Sequence, residues 1–323
     1  MTEIVVVAIG RNEGERLVAC LKSLAVTGCR VIYVDSGSTD CSPAVAAAYG
    51  ALVVELSPSI PFTAARARNA GLDCLQTMDP PPAYVQFIDG DCVLADGWLN
   101  TARAFLHARS DVAIVCGRRR ERYPNFSVYN QLCDIEWDTA IGETQECGGD
   151  SLVRLEALRS VGAFDGTLIA GEEPELCVRL RACGWAIWRL DAEMTVHDAN
   201  MTRLNQWWRR SSRAGYAFAE VSLRHRTSPA GIWRKSVRRA LFWGAALPVA
   251  IILIALSHPG GLLLAIAYPL QITRIALRRG PRYRTSWIYG CFAMLSKFSE
   301  AQGIILFYSM SLAGRRSQLL EYK

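Results

Sequence analysis

The first 115 residues alternate between near-continuous aliphatic runs and helix-patterned stretches, and this alternation limits the fold more than any other feature of the chain. EIVVVAIG, RVIYVD, ALVVEL and YVQFID read as strands; ERLVACLKSL, PAVAAAYG and AARARNAGLDCLQT read as the helices between them. A strand that is apolar on successive residues has no face to offer water, so both its faces must be covered. Strands joined through helices run parallel, because a parallel pair needs a crossover of a dozen or more residues. The expected class is therefore α/β, a Rossmann-like, mostly parallel sheet with helices on both faces. Sheets of this kind bind ligands beyond the carboxyl ends of their strands. Polar clusters stand there: Arg11-Asn12-Glu13, Asp35-Ser36-Gly37-Ser38 and Asp89-Gly90-Asp91. Three clusters at three strand ends converge on one crevice.

Asp89 and Asp91 are separated by one glycine at the end of the apolar run QFID. An Asp-Gly step is an ordinary turn signal, but two carboxylates this close repel and resist desolvation unless a cation relieves them. No G-x-G-x-x-G follows the first strand and no G-x-x-x-x-G-K-[ST] occurs, which argues against a dinucleotide dehydrogenase and a P-loop phosphoryl-transfer enzyme. Further on, ECGGDSLVR reads as a glycine-rich loop entering a strand. GTLIAGEEPELCVRLRACGW reads as a loop and a helix from near Pro174 to Gly184, with Glu172 and Glu173 ahead of it and Glu175 in its first turn. The eleven cysteines are scattered singly with no C-x-x-C pair, a pattern that fits a reduced, cytosolic catalytic region rather than a disulfide framework.

The mean hydropathy of +0.13 is high for a soluble chain, and the excess is local. Residues 240–257, ALFWGAALPVAIILIALS, are uncharged and long enough to span a bilayer; HPGG turns, and a second span is expected at 261–277. Basic stretches, RHRTSPAGIWRKSVRR and RRGPRYR, flank the pair while the turn carries no Lys or Arg, so both flanks are expected on the cytoplasmic side. A third apolar stretch, about 286–312, holds Lys297, Glu300 and Gln302 and ends in the basic Gly314-Arg315-Arg316; it is expected as an amphipathic or re-entrant helix. The basic residues hug the apolar segments, which favours anionic headgroups or a lipid-linked phosphate over nucleic acid as their partner. The expected division is a catalytic unit at 1–220, a basic interfacial linker at 221–239 and membrane-associated helices at 240–323. Met1-Thr2-Glu3 gives no sign of a secretory leader.

The series RNE, VDSGSTD, ARNAG, DGD, CGGD and GEEPEL, in that order over residues 1 to about 215, resembles the family 2 glycosyltransferases of GT-A fold. The resemblance implies a nucleotide-diphosphate sugar donor and a divalent metal, Mn or Mg. It implies that Arg11, Asn12 and Glu13 line the nucleotide pocket, that Asp35 contacts the nucleobase or ribose, that Arg68 stands near the diphosphate, and that Gly149 belongs to the donor-binding loop. Expelling a nucleoside diphosphate develops negative charge, which a carboxylate-held divalent cation neutralises. Asp91 is the expected direct metal ligand, with Asp89 touching the ribose or a metal-bound water. The family's third metal ligand falls on His197, with Asp198 as its orienter or substitute.

An inverting transferase also needs a base for the acceptor hydroxyl. The family's acidic pair matches Glu172-Glu173, with Glu173 where the family usually has aspartate; either acid can serve. Gln206, Trp207, Trp208 and Arg209 are similar to the family's acceptor-binding Q-x-x-R-W motif, with Arg210 in the last position; the same residues would also suit interfacial anchoring. The expectation is a metal-dependent, membrane-anchored inverting glycosyltransferase acting on a lipid-linked or polysaccharide acceptor at the cytoplasmic face. The alternatives are a processive polysaccharide synthase and a catalytically inactive membrane scaffold of the same fold.

Overall fold

The computed structural model describes residues 3–314, so Arg315 and Arg316 of the basic tail lie outside the described residues. The chain forms two compact units that divide between Thr202 and Arg203. That division falls inside the 1–220 range expected for the catalytic unit.

The first unit opens with β1 (Ile4–Gly10), α1 (Glu15–Ala25), β2 (Arg30–Asp35), α2 (Ser42–Ala48), β3 (Leu52–Glu55), α3 (Ala64–Leu75) and β4 (Tyr84–Asp89). In β1, Val5 to Ala8 are at most 1% exposed, as a strand covered on both faces must be. Helix α1 turns Leu17, Cys20, Leu21 and Leu24 inward, the one-stripe spacing of an amphipathic helix. Helix α3 starts where the Thr63 hydroxyl accepts from the Arg66 amide at 3.0 Å. It approaches β1 so closely that any side chain at Gly71 would overlap Val7.

The unit continues with β5 (Cys92–Leu94), α4 (Trp98–Ala108), β6 (Val112–Glu121), α5 (Val128–Glu136), β7 (Gly142–Thr144), β8 (Ser151–Arg154), α6 (Leu155–Ser160), α7 (Glu172–Ala182) and β9 (Ala186–His197). All nine strands form one mixed sheet in the order β3-β2-β1-β4-β8-β6-β9-β5, with β7 also on β9. Pairings among β1 to β4 are parallel, as are β6 and β9; β8 runs antiparallel to both neighbours, and β5 and β7 run antiparallel to β9.

The chain steps outward from β1 to β3 and then returns through α3 to β4 on the other side of β1. This is the switch point at which such sheets open a crevice. The register puts Gly10 opposite Asp35 and Ile9 opposite Asp89. The three strand-end clusters therefore stand side by side at one edge.

In the second unit, α8 (Leu204–Arg224) is followed by α9 (Arg234–Leu241), a π-helical turn at Phe242–Ala246 and α10 (Leu247–Ser257). These last three run on as a 24-residue helix, Arg234–Ser257. A 3₁₀ stretch at Pro259–Ile266 leads into α11 (Ala267–Arg279), and together they make a second segment of 21 residues. Both segments are long and apolar enough to cross a membrane, and most of their side chains are uncovered, with Leu256 80% and Leu263 68% exposed.

The third apolar stretch is a single 29-residue helix, α12 (Arg284–Leu312). Its charges do not interrupt it because they neutralise one another: Lys297 Nζ sits 2.6 Å from Glu300 Oε2 one turn away. Small residues let the helices pack closely. A side chain at Gly303 would overlap the Ser212 carbonyl of α8, and one at Gly215 would overlap the Glu300 carbonyl of α12.

Candidate active site

The site is organised around Asp89, the last residue of β4. Its carboxylate is held from two sides, by Arg68 Nη2 at 3.1 Å on Oδ1 and by Arg119 Nη2 at 3.0 Å on Oδ2. Arg68 comes from α3 and is 2% exposed. Its other terminal nitrogen lies 2.9 Å from Glu172 Oε1 and 2.8 Å from Glu173 Oε1. One guanidinium therefore ties the end of β4 to the first turn of α7. Burial works against the charge on Asp89, but the two arginines outweigh it and hold the carboxyl below its usual range.

Arg119 is fixed by Asp150, whose side chain is fully buried. Arg119 Nε donates to Asp150 Oδ2 at 2.9 Å, Thr195 Oγ1 donates to the same oxygen at 2.7 Å, and the Asp89 amide donates to Oδ1 at 3.0 Å. Asp150 thus sets both the backbone and the counter-ion of Asp89. Gly149, just before it, is glycine because a side chain there would overlap Arg68 Nη2, with Glu173 Oε1 at 3.1 Å and Asp89 Oδ1 at 3.3 Å from the added carbon.

Asp91 is 4% exposed and faces His197 at the end of β9, with Asp91 Oδ1 and His197 Nε2 3.4 Å apart. The antiparallel β5–β9 pairing makes this meeting possible by setting Cys92 opposite His197. The other ring nitrogen of His197 faces Glu121 at 3.9 Å, and Trp137 lies edge-on to the ring. Burial disfavours the imidazolium, yet Asp91 and Glu121 together raise the pKa of His197.

A carboxylate and an imidazole 3.4 Å apart have the spacing of two donors around one cation. Asp91, Cys92 and His197 hold their donor atoms within 4.8 Å of one another, as do Asp89, Cys92 and Asp150. Asp89, Asp150, Glu172 and Glu173 share the guanidiniums of Arg68 and Arg119, while Asp91 faces His197. This excess of negative charge suits a divalent cation held by Asp91 and His197, beside Asp89.

Helix α7 begins at Glu172, so Glu172 and Glu173 lie in its first turn and not ahead of it as the sequence suggested. Burial, reinforced by the neighbouring Glu172 and only partly opposed by Arg68, pushes the Glu173 carboxyl up to about 7. Such an acid exchanges protons near neutral pH. Glu175 is held by its i+4 partner Arg179 through a forked pair at 2.8–3.0 Å and serves the helix, as expected.

The remaining strand-end residues form a second wall. Asp35 is 1% exposed and accepts from the Ser38 amide at 2.7 Å and the Ser38 hydroxyl at 2.5 Å. Asn12 adopts φ +54° and bridges the loops: its amide donates to Ser38 Oγ at 2.9 Å, and its side-chain oxygen accepts from the Thr39 amide at 2.7 Å. Glu13 is buried beside Arg16 at 2.7 Å, and the Arg11 guanidinium lies over the Phe62 ring.

The residues expected to hold an acceptor lie in the second unit. Trp207 is 2% exposed and edge-to-face with Phe292, so it packs α8 against α12 and offers no face to a glycan. Gln206 accepts from the Arg203 amide as part of a helix cap, Trp208 Nε1 donates to Gln302 Oε1 at 2.6 Å, and Arg209 is exposed.

Sequence reasoning missed Arg119 and did not assign a role to Asp150. Asp150 stood within the CGGD motif. Arg119 lay in an arginine run, RRR, that reads as a solvated face.

Residues 4–148 match the family described as glycosyl transferase family 2. The chain is 30% identical over 242 residues to a pre-mycofactocin glycosyltransferase of Mycobacterium tuberculosis, an alignment that covers 70% of this chain and 49% of that protein. It is 26% identical over 228 residues to the succinoglycan biosynthesis protein ExoA of Rhizobium meliloti, covering 70% and 62% respectively. The chain thus spans about half to three-fifths of the curated relatives it matches. Its fold is that of a mannosyltransferase from Pyrobaculum calidifontis, solved in complex with GDP-mannose and Mn2+, with a TM-score of 0.65, 16% identity and coverage of 94% of this chain and 87% of that one.

Proposed function

Because the chain belongs to glycosyl transferase family 2, we propose that it is an inverting transferase that moves a sugar from a nucleotide-diphosphate donor to a lipid-linked or polysaccharide acceptor. The observation that carries this reading is the Arg68 bridge, which joins Asp89 at the strand end to Glu172 and Glu173 at the start of α7. A donor-side carboxylate and a candidate base are thereby brought to one point.

In this reading Asp35, Asn12 and Arg11 line the nucleotide end of the crevice. Asp91 and His197 would hold a divalent cation, Mn2+ or Mg2+, which would supply positive charge for the departing diphosphate. Glu173 takes the proton of the acceptor hydroxyl, a role supported by its raised pKa, while Arg68 keeps its carboxylate aimed into the site. Glu172 is the more buried of the two acids and serves as the fixed partner of Arg68. Single additions are favoured over processive synthesis because Trp207, expected as an acceptor platform, is spent on packing.

The two uncovered apolar segments and the basic residues beside them support anchoring in the cytoplasmic membrane, with the catalytic unit on the cytoplasmic side. The decisive test screens sugar nucleotides with Mn2+ or Mg2+ and reads released nucleoside diphosphate. Metal-dependent release that disappears in Asp91→Ala, with the variant still folded, is the expected result. Full turnover in that variant would remove Asp91 from the metal site, and no turnover with any donor would leave the inactive-scaffold reading standing.

A further inference from the structure

Cys147 and Cys177 bring their sulfur atoms within 3.6 Å of each other, and the reading above gives neither a role. Both are buried, and they come from two segments that border the candidate site. Cys147 lies two residues before Gly149, the position where Arg68, Glu173 and Asp89 crowd the backbone. Cys177 lies on α7 one turn after Glu173, on the same face of the helix. We propose that these two thiols are an oxidisable pair, and that a peroxide joins them in a disulfide that shuts the site down.

The step balances with hydrogen peroxide as oxidant. The sulfur of Cys147, as thiolate, attacks one peroxide oxygen, the O–O bond breaks, and the displaced hydroxide leaves as water. The resulting sulfenic acid is attacked by the sulfur of Cys177, its S–O bond breaks, and the second oxygen leaves as water. The two thiols lose two electrons and two protons, and the peroxide becomes two waters. The hydrogen bond to Cys177 and burial push the Cys147 thiol well above its ordinary range, so the attacking thiolate is a minor species and oxidation is slow and quickens as pH rises.

A disulfide needs sulfurs about 2.05 Å apart, so bonding draws the Gly148-Gly149 loop and α7 together from the present 3.6 Å. Gly149 lies in that loop against Arg68 and Glu173, so close that even a methyl group there would overlap Arg68. The movement therefore falls on Arg68 and Glu173, where an error near 1 Å costs roughly 10²-fold in rate. The effect on turnover rests on the proposed transferase reading; formation of the bond does not.

The test treats the full chain in detergent with hydrogen peroxide, in a background where the exposed Cys41, Cys183 and Cys291 are serine. The expected result has three parts: loss of the mass of two hydrogens, a Cys147–Cys177 cross-linked peptide on non-reducing mapping, and nucleoside diphosphate release lowered roughly 10–100-fold. Dithiothreitol should restore release, and Cys147→Ala and Cys177→Ala should each resist the oxidant. Absence of the cross-linked peptide overturns the pair itself, whatever the activity. A cross-link with unchanged release, or equal loss in both alanine variants, overturns its control of the site.

Discussion

At the scale of single residues, the site is a problem in neutralising charge, and each carboxylate has a different solution. Asp89 is shared between two arginines, Asp150 is buried among three donors, and Glu173 stays protonated to higher pH than an ordinary glutamate. In the proposed role of base, Glu173, with its carboxyl pushed up to about 7, is inactive while protonated, so transfer should rise about tenfold per pH unit below 7 and level off above it. Glu173→Gln should keep donor binding by calorimetry while transfer falls roughly 10²–10⁴-fold; if Glu172→Gln does this and Glu173→Gln does not, Glu172 is the base. Asp150→Asn should act on the fold as well as on the site. It removes the charge of one of the two carboxylates that Arg119 bridges, with Asp89 still 3.0 Å away, at a cost of about 1–3 kcal/mol, which lowers the unfolding midpoint by roughly 5 °C. An unchanged midpoint by differential scanning fluorimetry would mean that Asp150 does not hold this cluster together.

At the scale of elements, the crevice was legible and its far wall was not. The β–α alternation of the first 115 residues carries the parallel half of the sheet, and the matched register of β1, β2 and β4 aligns Asp35 and Asp89 as the strand-end argument required. Arg119 was hidden because β6 breaks its own alternation. The register slips between Cys116 and Arg118 and again between Arg118 and Arg119, next to Gly117, where a side chain would meet the Ala192 carbonyl at 2.6 Å. A bulge re-aims the residues after it, and the one local signal of it in GRRRER is Gly117, a glycine inside a strand pattern. His197 reaches Asp91 through a pairing of β5 with a strand about a hundred residues away, contact information that a single sequence does not carry. In the second unit, the Q-W-W-R-R run pointed to binding, but the buried surface it supplies to α12 claimed Trp207. The α8–α12 contact gives its own prediction. Gly303→Ala forces its new methyl against the Ser212 carbonyl and should destabilise the unit by roughly 1–3 kcal/mol. Thermal unfolding of the detergent-solubilised chain reads this, with Leu312→Ala, at a 90% exposed position, as the control expected to have no effect.

At the scale of the whole molecule, the +6 net charge is distributed with a direction. Arg234, Lys235, Arg238 and Arg239 lie in the first turns of the first segment, and Arg278, Arg279, Arg282 and Arg284 surround the end of the second, while the His258-Pro259-Gly260-Gly261 turn between them has no Lys or Arg. Each cation near an anionic leaflet is worth about 1 kcal/mol, and the bias of Lys and Arg toward one side sets orientation. If both ends of the hairpin stay on the cytoplasmic side, the catalytic unit, which enters the hairpin from its first end, shares that side with the cell's sugar nucleotides. The exposed thiols of Cys41 and Cys183 on that unit make this measurable. In a chain with Cys291 replaced by serine, a membrane-impermeant maleimide should label Cys41 and Cys183 in inside-out vesicles and leave them unlabelled in intact spheroplasts. Labelling in spheroplasts would invert the orientation and separate the crevice from its donor; recovery of the full chain in the soluble fraction would remove the membrane anchor altogether.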